Sequence, residues 1–130
     1  MMIRALALAT LLLAPVLGAC GSKYCPLGVR PGIVIEVRDA ITGEPAASGT
    51  TLRVFRGTLL VDSLTIPSGA QGEGGLEIAS FRTGPGTYRI VIERPGYQSF
   101  SQDGVVVRST GGECSGNVTT RIRVSLQPVS

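Results

Sequence analysis

The 130-residue chain contains no histidine, and that absence decides most of what its reactive side chains can do. Without an imidazole there is no ordinary base for a serine or cysteine nucleophile, so Ser–His and Cys–His catalysis are excluded at the level of residues. Acid–base work would fall to carboxylates, and Asp62, Glu73, Glu77, Glu93 and Asp103 are the candidates. They stand singly, mostly at outward or loop positions, which predicts solvated surface charge and no catalytic residue. Calcium-loop spacing of the Asp-x-Asp-x-Asp kind is absent, and no close cysteine pair offers zinc a site. Neither a metal nor another cofactor is expected. Three cysteines remain: Cys20, Cys25 and Cys114.

Cys20 closes the tetrad Leu17-Gly18-Ala19-Cys20 at the end of an apolar run. Met1 to Arg4 supplies one positive charge, and residues 5–17 are nearly all Ala and Leu, broken by Thr10 and Pro15. The run fits a signal-peptide core and falls short of the roughly 20 residues a spanning helix needs. A cut after Ala19 would also suit an ordinary signal peptidase. The tetrad, however, resembles the bacterial lipobox, and the resemblance implies cleavage between Ala19 and Cys20 with a diacylglycerol on the Cys20 thiol. A third acyl chain on the new amine usually follows, and two or more chains make membrane residence stable. Gly21 stands where Asp would signal inner-membrane retention. The expected location is therefore the cell envelope, lipid-anchored in the outer membrane.

The chain then divides into a signal peptide (1–19), a lipidated tether (20–31) and one domain (32–130). Without Arg4, eleven basic residues face nine acidic ones, a net charge near +2. The basic residues are scattered, so no nucleic-acid partner is expected. Cys25 and Cys114 lie near the two ends of the mature chain. An oxidising compartment predicts a disulfide between them, with two buried thiols as the alternative. Closing so long a loop would contribute about 4–5 kcal/mol on chain-entropy grounds, an upper figure.

Within the domain, short β-branched runs alternate with Gly and Pro, and no helical period persists. Ile33, Ile35 and Val37 alternate with Val34, Glu36 and Arg38, as in a half-buried strand. Further strands are predicted over 52–56, 59–66, 76–81, 88–92, 97–107 and 118–126. The last shows the cleanest alternation, with Ile122, Val124 and Leu126 against Arg121, Arg123 and Ser125. Residues 67–75 are rich in Gly and Ser and predict a mobile loop without the context of a phosphate cradle. Seven short strands separated by turn signals predict an all-β sandwich; the fold expected is a seven-stranded Greek-key one.

Val37-Arg38-Asp39 with Thr42-Gly43-Glu44-Pro45-Ala46 resembles the opening strand and turn of carboxypeptidase regulatory-like domains, small sandwiches of transthyretin-like (prealbumin-like) fold. Gly86-Thr87-Tyr88-Arg89-Ile90-Val91-Ile92, then Pro95-Gly96-Tyr97, resembles that family's Gly-x-Tyr strand and Gly-Tyr turn, and Val124-Ser125-Leu126-Gln127-Pro128 its last strand. The likeness spans residues 33–128. It departs at Gly72-Glu73-Gly74-Gly75, where the family usually has an Asp/Asn-Gly turn. For Tyr88 and Tyr97 the expectation is ring packing with each hydroxyl on a backbone partner near a sheet corner.

Enzymes of related fold rely on histidines that this chain lacks. Adhesin domains of similar build close a Lys–Asn isopeptide bond, but the only lysine, Lys23, lies in the tether, so no such bond is expected. Glycan binding usually needs exposed aromatic rings, and there is no Trp. Phe55, Phe81 and Phe100 are the rings not assigned to the core. Asn117-Val118-Thr119 matches a glycosylation sequon of little weight in a bacterial lipoprotein. The expected function is a lipid-anchored, non-enzymatic envelope module with a structural or protein-interaction role, an envelope protein being its partner through an edge strand or loops such as 67–75. A small-ligand or carbohydrate-binding surface lipoprotein is the alternative.

Overall fold

The computed structural model describes residues 30–111 and 116–129. These form two sheets around one core. β1 (Ile33–Asp39) is central in a three-stranded sheet, between β4 (Glu77–Ser80), antiparallel to it, and β8 (Thr120–Leu126), parallel to it. The second sheet is antiparallel throughout and runs β3 (Leu59–Thr65), β2 (Thr51–Arg56), β5 (Gly86–Glu93), β6 (Phe100–Ser109), β7 (Asn117–Val118). The all-β, two-sheet architecture expected from period-two alternation is thus present.

The core is what that alternation puts inside. Ile33, Ile35 and Val37 of β1, Ile78 of β4, and Val124 and Leu126 of β8 face Leu52, Val54, Tyr88, Ile90, Ile92, Val105 and Val107 of the larger sheet, all buried. Such packing of two inner faces is the main stabilising term of a sandwich. On the outer face of the small sheet, Glu36 binds Arg38 at 3.2 Å and Arg123 at 3.3 Å, and Glu77 reaches Arg121 at 3.7 Å. Cross-strand charge pairing of this kind keeps that face wet. Val34 shares the outer face yet is buried, which corrects the simple in–out alternation expected of β1.

Two further expectations are corrected. The last strand is not continuous: it breaks at Thr119, so eight strands occur among the described residues where seven were expected. β7 completes the larger sheet and β8 the smaller one, and the chain changes sheet between them. Thr119 holds the corner by donating its hydroxyl to the Pro31 carbonyl at 2.8 Å, while the Thr120 amide donates to Gly32. Residues 67–75 also contain the start of a one-turn helix, α1 (Glu73–Leu76), which displaces the start of the following strand to Glu77. It is anchored by the Gly75 carbonyl, which accepts the Ala47 amide at 2.9 Å.

Candidate functional site

The sequence-predicted site residues divide sharply by position. Ala19 and Cys20, the cleavage and lipidation positions, and the pair Cys25 and Cys114 lie outside the described residues. The described residues hold the Thr42-Gly43 and Pro95-Gly96-Tyr97 turns, the carboxylates and the three phenylalanines.

The first turn is built on Asp39. Its Oδ1 accepts the amides of Ile41 (2.7 Å) and Thr42 (2.9 Å), and Thr42 Oγ1 accepts the Glu44 amide at 3.2 Å. Such local side-chain acceptors are why Asp and Thr favour turns. Gly43 takes the positive φ of 73° that closes the loop, and its carbonyl accepts Arg38 at 2.9 Å. The other carboxylate oxygen, Oδ2, accepts the Tyr97 hydroxyl at 2.7 Å. That bond ties the β1–β2 turn to the Pro95-Gly96-Tyr97 turn 58 residues on. The amide of Val129 donates to Gly96 and that of Gln98 to Gln127, so the segment after β8 closes the same corner. Arg94 lies 4.9 Å over the Tyr97 ring and donates to the Ala46 carbonyl at 3.2 Å.

Electrostatics follow from this geometry. The Thr42 amide, then the Tyr97 hydroxyl and the Ile41 amide, hold the Asp39 carboxyl below its ordinary value of 3.8. The hydrogen bond to Asp39, helped by desolvation and by the carboxylate's charge, pushes Tyr97 above 10.0. The two shifts describe one interaction, favouring Tyr–OH beside Asp–COO⁻.

Tyr88 makes the second corner at the opposite end. Its ring is in the core, and its hydroxyl donates to the Gly84 carbonyl four residues upstream at 2.6 Å. Arg56 donates to the same hydroxyl at 2.8 Å and sits 5.1 Å over the ring. The arrangement matches the tyrosine corner of β-sandwiches. Both tyrosines therefore use their hydroxyls structurally; Tyr97 does so on a carboxylate, where a backbone partner was expected.

The carboxylates expected at the surface are not all there. Asp62 is only 5% exposed, on the inner side of β3, and accepts Ser80 Oγ of the opposite sheet at 2.7 Å. This corrects its reading as a solvated charge. Asp62 stands opposite buried Val54 in the regular stretch of the β2–β3 ladder, two residues from Leu64 opposite buried Leu52, so its carboxyl enters the interior; the register shifts only beyond it, between Val54 and Phe55. Ser80 is itself fully buried, and its carbonyl accepts Thr83 Oγ1 at 3.1 Å. Glu73 opens α1, Glu77 reaches Arg121, and Glu93 pairs with Arg53 at 3.0 Å. Asp103 lines a shallow depression of about 410 Å³ with Thr58, Thr87 and Arg89. Hence the five carboxylates are dispersed over the molecule, and no group of three potential metal ligands occurs among the described residues.

Of the phenylalanines, Phe100 packs against the core, Phe55 lies under the Arg89 guanidinium at 4.8 Å, and Phe81 is 54% exposed. Sequence reasoning missed the role of Asp39 as an acceptor for two turns. The Asp-x-x-Thr-Gly pattern carried that signal, since an Asp two and three residues before free amides is an Asx-turn. Comparison of the chain with protein families and with curated proteins finds no match.

Proposed function

We propose that the chain is a lipid-anchored, non-enzymatic module of the cell envelope, held in the outer membrane through Cys20 and acting in structure or protein interaction. In this reading its body is a transthyretin-like, Greek-key sandwich of the carboxypeptidase regulatory-like kind, residues 1–19 are a cleaved leader, and Cys25 and Cys114 are bridged. The observation that carries the non-enzymatic reading is the use of the conspicuous polar groups. Asp39, Tyr97, Tyr88, Asp62 and Ser80 all direct their polar atoms at turns or sheet-to-sheet bonds. Groups so engaged hold loops in place and present surfaces.

A partner would meet the end bearing the Asp39 turn, where Ile41 and Val129 are exposed apolar side chains. Photo-crosslinking in intact cells tests this, with the reactive side chain placed at position 41 or 69. A discrete adduct with one envelope protein is expected, and the absence of adducts at both positions would contradict an interaction role. The second reading, a carbohydrate or small-ligand binder, draws on the depression beside Thr58, Thr87, Arg89 and Asp103, whose hydroxyls and charges suit polyols. It differs in predicting saturable ligand-dependent thermal shifts abolished by Asp103→Ala.

A further inference from the structure

The two ends of the sandwich differ in charge. At one end lie residues 30–32, 56–60, 81–86, 108–111 and 116–118, brought together by the β2–β3 hairpin, the β4–β5 connection and the β6–β7 pairing. Among these described residues Arg30, Arg56, Arg82 and Arg108 are exposed, and there is no carboxylate. Arg89 and Asp103 line the depression that reaches Gly57 and Thr58, so five arginines face one carboxylate there. The opposite end carries Asp39, Glu44, Glu73 and Glu93 against Arg38, Arg94 and Arg53, the last bonded to Glu93.

Large apolar side chains stand in water at the basic end, as Ile41 and Val129 do at the other. Leu59 is 66% exposed, Leu60 48%, Phe81 54% and Val118 45%. The Ser80–Asp62 bond between sheets ties the middle of β3 to the end of β4, so these two edge strands lie on the same side of the sandwich. Finally, the tether arrives here: the Asn117 side-chain amide donates to the Arg30 carbonyl at 3.2 Å, and Thr119 holds Pro31. Arg30 lies ten positions after Cys20, a reach of at most about 35 Å when fully extended.

We propose that this end is a docking face for membranes bearing anionic phospholipid headgroups. Phe81, Leu59 and Leu60 enter the interfacial layer, and Arg30, Arg82 and Arg108 pair with phosphates while Arg56 stays on Tyr88. Exposed apolar groups rimmed by guanidinium are the side chains such an interface accepts. An anchored chain would then stand upright on the bilayer and turn the acidic Asp39 end outward. The face rests on the lipid-anchored reading only for its orientation, since headgroup binding is a property of the folded surface itself.

The test is hydrogen exchange on the mature protein as extracted from the envelope, with vesicles of phosphatidylcholine alone or mixed with phosphatidylglycerol. Amides of 57–60 and 81–84 should exchange several-fold more slowly on the anionic vesicles, while those of 41–44 stay unchanged. Phe81→Ser/Arg82→Glu, shown to melt like the wild type, should lose the difference. Equal rates on both vesicles would overturn the docking face. Intact mass of the same sample reports the acyl group separately. An acylated chain with equal rates sinks the docking face alone. An unacylated chain sinks the anchor, and its exchange when added to vesicles from solution still decides the docking.

Discussion

Asp39 is one residue on which two turns depend. Its carboxylate accepts two amides of its own turn and a tyrosine hydroxyl from another, so protonating it weakens all three bonds together. The sign follows from linkage. A carboxyl held below its ordinary value contributes stability that is present above the unfolded value and lost as pH falls through the folded one. Tyr97, pushed upward, contributes stability that is complete below 10.0 and lost as pH rises through its folded value. Urea unfolding against pH should therefore show an acid decline below about pH 4. That decline should flatten in Asp39→Asn, and Tyr97→Phe should abolish an alkaline decline. A Tyr97→Phe chain with an unchanged alkaline limb would show that the pair does not couple the turns. Much of this corner was legible from sequence, because Asp, Thr and Gly at those spacings have turn chemistry of their own. The partner of Asp39 was not, since a hydroxyl 58 positions away leaves no local trace.

At the scale of elements, alternation located the strands because each sheet has one wet face and one dry face. β5 shows it plainly, with Tyr88, Ile90 and Ile92 inside. It failed where the ladder is irregular. The bulge beyond Val54 turned Leu60 outward beside Phe55, while Asp62 kept the inward side of β3 for a Ser80 partner in the other sheet that leaves no local trace. The break at Thr119 was hidden because residues 117–126 keep strand propensity on both sides of the switch. No helical period announced α1, since a single turn is too short to display one. Gly32 controls that switch. Its amide donates to Ser80, its carbonyl accepts Thr120, and a Cβ there would land on the Thr83 carbonyl and hydroxyl oxygens. Gly32→Ala should cost roughly 1–3 kcal/mol by overpacking, read as a lowered urea midpoint. An unchanged midpoint would mean that the corner yields without loss and does not fix the crossing of the chain between sheets.

At the scale of the molecule, the pieces describe a polarised body. Both tyrosine corners lock loops at opposite ends, Arg30 and Pro31 are tied down at the basic one, and in the proposed reading the acidic one meets other proteins. The fold alone does not choose a function, because the same kind of sandwich serves as spacer, support or binder. In the proposed reading orientation follows from attachment, and attachment from the Cys20 thiol. The most direct measurement is metabolic labelling with radioactive palmitate in cells producing the wild-type or Cys20→Ala chain, followed by intact mass of the envelope-extracted product. The wild type should carry label, begin at Cys20 and weigh more than the bare polypeptide by its acyl groups, and the variant should carry none. A soluble wild-type product with a free thiol at Cys20, or label that persists in Cys20→Ala, would contradict the account.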